Sequence, residues 1–147
     1  MRLKDLEKYD KIIIQCHDNP DADTIGSGYA LYKYFESKGK AVRLIYSGRG
    51  EVTKSNLLLL IKSFNIPIEY ILPGLTLDID DNTLLLTVDC QYGAGNVTKF
   101  QAEHLAIIDH HRVEIENIAD NVIRPELGSC STLVWTMLKD EGFEVND

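Results

Sequence analysis

The stretch IIIQCHDNPDADTIGSGYAL, residues 12–31, decides how the rest of the chain is read. It opens as an apolar run, stops at His17, and offers Asp18, Asp21 and Asp23 before a helix-like pattern begins. Apolar residues at consecutive rather than alternate positions suit a strand covered on both faces, as in a parallel sheet. Ile25, Tyr29, Leu31, Tyr32 and Phe35 then recur near helical spacing and Gly39 supplies a stop. Residues 23–39 are therefore expected to form a helix, capped by Asp23 or Thr24.

Working outward, four more apolar runs follow: AVRLIYS (41–47), IEYIL (68–72), NTLLLTVDC (82–90) and HLAIIDH (104–110). Helices are expected at TKSNLLLLIKSFNIP (53–67), ending before Pro67, at GAGNVTKFQAE (93–103), and at SCSTLVWTMLKDEG (129–142), which starts on Ser and Thr and closes on Gly142. This alternation indicates an α/β domain with a mostly parallel central sheet of about five strands flanked by helices. In open sheets of that kind ligands bind outside the carboxyl ends of the strands.

The 147 residues, 44% hydrophobic and 26% charged, are those of one globular domain. A net charge of −8 argues against a broad basic surface for long duplex nucleic acid. It is compatible with a small anionic substrate held through metal ions, because bound cations invert the local field. There is no long uncharged apolar run for a membrane and no apolar segment in MRLKDLEKYDK, so the expected location is cytoplasmic. Cys16, Cys90 and Cys130 are odd in number and lack CxxC spacing, which fits reduced thiols, and the two beside strands are expected to be buried. Gly26, Ser27 and Gly28 fall inside the helix pattern and do not make a dinucleotide fingerprint. His104 precedes its strand and is expected to be solvated. The composition is compatible with an oligomer and does not fix its state.

Three strand ends carry the same chemistry. The first ends in His17, Asp21 and Asp23, the run LLLTVDC in Asp89, and LAIIDHHR in Asp109, His110 and His111. If the strands are parallel neighbours, these groups converge on one edge of the sheet. Several carboxylates brought together repel, and a cation relieves that repulsion. Carboxylate and imidazole ligands without thiolate suit Mn²⁺, Fe²⁺ or Mg²⁺.

HDNPDADTIGS, TVDC and IDHH, in that order, resemble the first three motifs of the DHH phosphoesterase superfamily, and the likeness runs from about Lys11 to the end of the chain. That superfamily includes RecJ-type exonucleases, nano-RNases that also dephosphorylate 3′-phosphoadenosine 5′-phosphate, and manganese-dependent inorganic pyrophosphatases. A first motif with His17 ahead of its aspartates is more similar to the nano-RNase and pyrophosphatase branches. The resemblance implies a three-layer, Rossmann-like DHH domain. It implies two Mn²⁺ sites, with Mg²⁺ or Fe²⁺ as alternatives: one held by His17, Asp21 and Asp89, the other by Asp23, Asp89 and His110, so that Asp89 bridges. It further implies that His111 faces the substrate phosphate as the catalytic group, with Asp109 orienting a neighbouring imidazole. YSGRGEVTKSN resembles a loop that approaches the site in some members, which makes Arg49 and Asn56 candidate phosphate contacts. GSCSTLVW resembles the segment in which a helix begins near the active site.

Family members carry a fourth acidic motif after that helix, and then a smaller substrate-binding domain. Nothing between Lys139 and Asp147 fits the fourth motif. The chain is accordingly expected to be the N-terminal DHH domain, residues 1–147, truncated before both. The implied function is hydrolysis of phosphodiester or phosphomonoester bonds in short oligonucleotides or small nucleotides by a metal-bridged hydroxide. The alternative is a non-catalytic nucleotide or metal sensor with an incomplete metal site.

Overall fold

A computed structural model describes residues 1–145; Asn146 and Asp147 lie outside the described residues. After a 3₁₀ turn at Leu3–Leu6, the elements run β1 (Lys11–Cys16), α1 (Ala22–Ser37), β2 (Ala41–Tyr46), α2 (Ser55–Ser63), β3 (Ile68–Tyr70), β4 (Thr83–Val88), β5 (His104–Asp109), β6 (Asp120–Ile123) and α3 (Cys130–Asp140). The strands form one sheet in the order β3-β2-β1-β4-β5-β6, with every neighbouring pair parallel. The α/β architecture expected from the alternation is thus observed, with a sixth strand that the sequence reading lacked.

This order reverses direction between β1 and β4. Right-handed crossovers moving outward from β1 place α1 and α2 on one face. Those moving the other way, from β3 to β4, β5 and β6, place their connections on the opposite face. The packing agrees. Ile12, Ile14, Leu84, Leu86, Ala106 and Ile108 bury one side of the sheet with Ile25, Leu31 and Phe35 of α1, Leu57 of α2, and Leu133, Val134 and Leu138 of α3. On the other side Ile13, Ile45 and Leu85 pack with Tyr92 and Phe100, joined by Leu77, Ile79 and Ile118.

That second covering layer is not helical. The helix expected over 93–103 is absent among the described residues; the segment is turns and extended chain. Its glycines favour turns, and Gly93 adopts φ 95°. Side chains anchor it to the sheet instead: Gln15 Nε2 donates to Thr98 O at 2.7 Å and the Tyr92 hydroxyl to Phe100 O at 2.6 Å. His104 is also engaged rather than free, its Nε2 lying 3.0 Å from Asp81 O and its ring 4.9 Å from that of Tyr9.

Helix α1 lies close on β1 and β2. A Cβ added at Gly28 would come within 2.7 Å of Leu44 Cδ1 and 3.3 Å of Cys16 Sγ, so the glycine sets the distance between helix and sheet. The reversal in strand order leaves a crevice at the carboxyl ends of β1 and β4, where the three motifs meet.

Candidate metal centre

Each motif reaches the crevice by a local device. After β1 the chain turns at Asn19, in the left-handed region at φ 53°, and Asp21 caps α1 by accepting from Asp23 N at 3.0 Å and Thr24 N at 3.1 Å. The cap is therefore Asp21 rather than Asp23 or Thr24. Asp23, the second residue of the helix, reaches instead to the start of α3. Its carboxylate accepts from Cys130 N at 2.9 Å, from Ser131 N at 2.8 Å, and from the Ser131 hydroxyl. Ser129 caps α3 conventionally, accepting from Thr132 N at 3.1 Å. The free N–H groups at that helix start are thus satisfied by Asp23, a charge the helix N-terminus favours. Burial raises the Asp23 pKa, and the donors from Ser131 and Cys130 outweigh it, so the net shift is downward.

Asp89 directly follows β4 with φ 59°, a left-handed conformation that aspartate tolerates better than most residues. It is 2% exposed. Burial, followed by the charge of Asp23, pushes its pKa up to about 7, against the opposing pull of His17. The two histidines facing it point lone pairs at it. His17 Nδ1 is 2.9 Å from Asp18 O and His110 Nδ1 is 3.1 Å from Leu127 O. In each neutral ring the hydrogen therefore sits on Nδ1 and Nε2 is an acceptor. His17 Nε2 stands 3.7 Å from Asp89 Oδ2 and 3.8 Å from Asp21 Oδ1, while His110 Nε2 stands 3.3 Å from Asp89 Oδ1 and 3.7 Å from Asp23 Oδ2. Asp89 Oδ1 is buried without a hydrogen-bond donor.

Acceptors gathered around acceptors, one of them an orphaned buried carboxylate oxygen, fit a divalent cation and little else. Among the described residues two groups of possible ligand atoms share Asp89: His17, Asp21 and Asp89, and Asp89, His110 and His111. Within the second group His111 is differently engaged. Its Nδ1 is 2.8 Å from Asp109 Oδ1, and its side chain is 53% exposed. Burial opposes charge on its ring, but the Asp109 hydrogen bond and the surrounding carboxylates prevail and raise its pKa.

His111 borders a cavity of about 370 Å³ lined with Gln91, Ala94, Gly95, Asn96, Asp109 and Glu114. Gly95 also borders a second cavity of about 540 Å³, which holds Arg49 together with Asp18, Asn19, Gly48 and Glu51. Arg49 thus borders a cavity that meets the one beside His111 at Gly95. Asn56 sits exposed in the first turn of α2 and lines neither cavity.

Two side chains escaped the sequence reading. Asp18 accepts from Thr98 N at 3.1 Å and Thr98 Oγ1 at 2.8 Å, clamping the first motif to the loop after β4. Gln91, two residues after Asp89, donates to Asp109. The only hint of either was proximity to a motif. The three thiols are buried, and desolvation raises their pKa values, that of Cys16 to about 12, so they are inert neighbours rather than nucleophiles.

Among known proteins, the chain is 29% identical over 141 residues to the "Probable manganese-dependent inorganic pyrophosphatase" of Staphylococcus aureus strains JH9 and N315, covering 92% of this chain and 43% of each relative. The crystal structure of an exopolyphosphatase-related protein from Bacteroides fragilis superimposes with a TM-score of 0.61 at 20% identity, covering 95% of this chain and 42% of that one. The chain therefore spans less than half the length of these relatives. The profile described as "DHH family, N-terminal domain" matches residues 11–147. By that match the chain belongs to the DHH family, as its N-terminal domain.

Proposed function

We propose that this chain is the metal-binding part of a metal-dependent phosphoesterase. It would hydrolyse a phosphodiester or phosphomonoester bond in a small phosphorylated substrate, a short oligonucleotide or a nucleotide. The observation that carries the reading is Asp89 Oδ1, buried and without a donor, 3.3 Å from the acceptor nitrogen of His110. The names borne by the relatives, a manganese-dependent pyrophosphatase and an exopolyphosphatase-related protein, support phosphoryl chemistry and Mn²⁺ in particular.

In this reading His17, Asp21 and Asp89 hold one ion, and Asp23, Asp89 and His110 hold the second. Bound divalent cations would supply Lewis acidity toward a phosphoryl oxygen and the attacking water. The chain's own residues do the rest. Asp89, shared by both ligand sets, fixes the spacing between them. The Asp18 clamp on Thr98 keeps His17 and Asp21 in register with the loop after β4. Asp109 accepts from His111 Nδ1, which leaves Nε2 for the substrate in the adjoining cavity. Donation from both ring nitrogens requires the imidazolium, the form that pairing with Asp109 favours. His111 then donates to a phosphoryl oxygen on which charge develops as water attacks phosphorus and the bond to the leaving oxygen breaks.

The test is product formation with Mn²⁺ from three substrates: mononucleotide from a dinucleotide, and inorganic phosphate from 3′-phosphoadenosine 5′-phosphate and from pyrophosphate. Mn²⁺-dependent cleavage of either nucleotide, abolished by Asp89→Ala, is the expected result. Cleavage of pyrophosphate alone would replace the substrate class. Activity that persists after chelation would sink the metal mechanism.

A further inference from the structure

Gln91 is the most fully engaged side chain beside the cluster. It is 2% exposed, and its amide makes four hydrogen bonds. Nε2 donates to Asp109 Oδ2 at 2.8 Å and to Arg112 O at 2.8 Å. Oε1 accepts from Glu114 N at 2.8 Å and Ile115 N at 3.0 Å. The amide can be oriented only one way. Turned over, its NH₂ would meet two N–H donors and its oxygen would meet a carboxylate and a carbonyl.

The partner that matters is Asp109, which is 1% exposed. Its Oδ1 accepts from His110 N at 2.8 Å and faces His111 Nδ1 at 2.8 Å, so Gln91 is the group that holds Oδ2. Without that donor a buried carboxylate oxygen would be left orphaned, and the carboxylate would gain by rotating toward another donor. The rotation would release the His111 ring, which is half exposed and otherwise rests against the His110 ring at 4.4 Å. The same amide pins residues 114 and 115, and Glu114 forms part of the cavity wall beside His111.

We propose that Gln91 is a positioning residue that acts through Asp109 to set the ring orientation and tautomer of His111. The catalytic consequence rests on the role given to His111 above and runs through the ring orientation, since the imidazolium carries both hydrogens; the tautomer of the neutral ring does not depend on that role. Glutamate cannot substitute, since it replaces both donors by acceptors and sets a second charge against Asp109. Methionine matches the shape of glutamine and removes both donors, together with the acceptor for Glu114 N and Ile115 N, whose effect the His111→Gln background separates.

The experiment is a long-range ¹H–¹⁵N correlation of the imidazole nitrogens in the chelator-treated chain at about pH 9, well above the histidine range. Wild type is expected to show His111 as the Nδ1–H tautomer alone. Gln91→Met is expected to show a mixture at His111 and unchanged Nδ1–H signals at His17 and His110, whose backbone acceptors are untouched and which report an intact crevice. An unaltered His111 signature in that variant overturns the proposal. Should the variant fail to fold, wild type still decides it: the Gln91 side-chain amide protons must exchange with solvent far more slowly than those of free glutamine, and fast exchange overturns it. In the hydrolysing enzyme, Gln91→Met is expected to lower kcat roughly 10- to 100-fold with KM unchanged, and to cause no further loss in a His111→Gln background. An unchanged kcat also overturns it. A wild type that hydrolyses none of the esters defeats the proposed function instead, and leaves the tautomer measurement to decide the part played by Gln91.

Discussion

Asp89 Oδ1 and His110 Nε2 face one another at 3.3 Å, and once Asp89 has lost its proton the two meet as acceptors, since His110 Nδ1 is turned to Leu127 O. Such a contact is unfavourable on its own and becomes favourable when a cation occupies it, so it ties stability to metal. Mn²⁺ is expected to bind the wild-type chain and raise its melting temperature, at 100 times Kd by the equivalent of about 2.7 kcal/mol. Asp89→Ala, which removes the residue common to both ligand sets, is expected to abolish the shift. Calorimetric titration of both proteins checks this; equal binding by the variant would mean that the ions sit elsewhere.

The same contact predicts a pH dependence for the metal-free chain. Burial raises the Asp89 pKa from 3.8 to about 7, so between those values the folded state holds a proton that the unfolded state has lost. Stability must therefore fall as pH rises through that window and level off above it. Asp89→Asn stays neutral and can donate to His110 Nε2. In chelator it is expected to match wild type near the acid end and to exceed it above neutrality, on the order of 1–2 kcal/mol after allowance for water at the open edge of the crevice. Thermal melts at both ends of the window decide. A wild type that gains on Asp89→Asn as pH rises would contradict the burial of the charge.

The strand ends were legible because consecutive apolar residues and the abrupt polar stops at His17, Asp89 and Asp109 are local features of the chain. β6 was not. Its residues, DNVI, are short, half polar, and paired only along the sheet edge with β5, so they carry no apolar run to detect. The segment 93–103 misled for the opposite reason. Phe100 and Ala102 meet the sheet as side chains of an irregular layer rather than as one face of a helix, and the neighbouring glycines form turns. Within the site, His17, Asp21, Asp89 and His110 could be read as a set from their motifs. The hold of Asp23 on α3 could not, since it joins residues 107 and 108 positions apart.

That long-range cap yields a third prediction. Asp23 satisfies the first N–H groups of α3 while lying 3.7 Å from His110 Nε2, so one carboxylate serves both the fold and the cluster. In chelator Asp23→Ala is expected to destabilise the chain by about 1–2 kcal/mol, the usual cost of a lost cap and its charge. Amide exchange at Cys130 and Ser131 should quicken at the same time. Destabilisation without faster exchange at those amides would place the effect elsewhere.

The adjacent histidines should part company when each is removed. His110 turns Nε2 inward, is anchored through Nδ1 to Leu127 O, and has a side chain 17% exposed, whereas His111 is 53% exposed and bound through Nδ1 to Asp109. Loss of a ligand weakens a cation site, while loss of a group that contacts only substrate leaves it intact. His110→Ala is expected to weaken Mn²⁺ binding at least roughly 10- to 100-fold, the range seen even for residues that merely orient a ligand. His111→Ala is expected to keep the wild-type stoichiometry and to lower kcat by about 10²- to 10⁴-fold, as removal of a positioned proton donor does. Titration and turnover on the same two proteins separate the roles. If His111→Ala lost the metal and His110→Ala kept it, the ring bound to Asp109 would be the ligand, and the phosphate contact would have to come from another residue of the cavity wall.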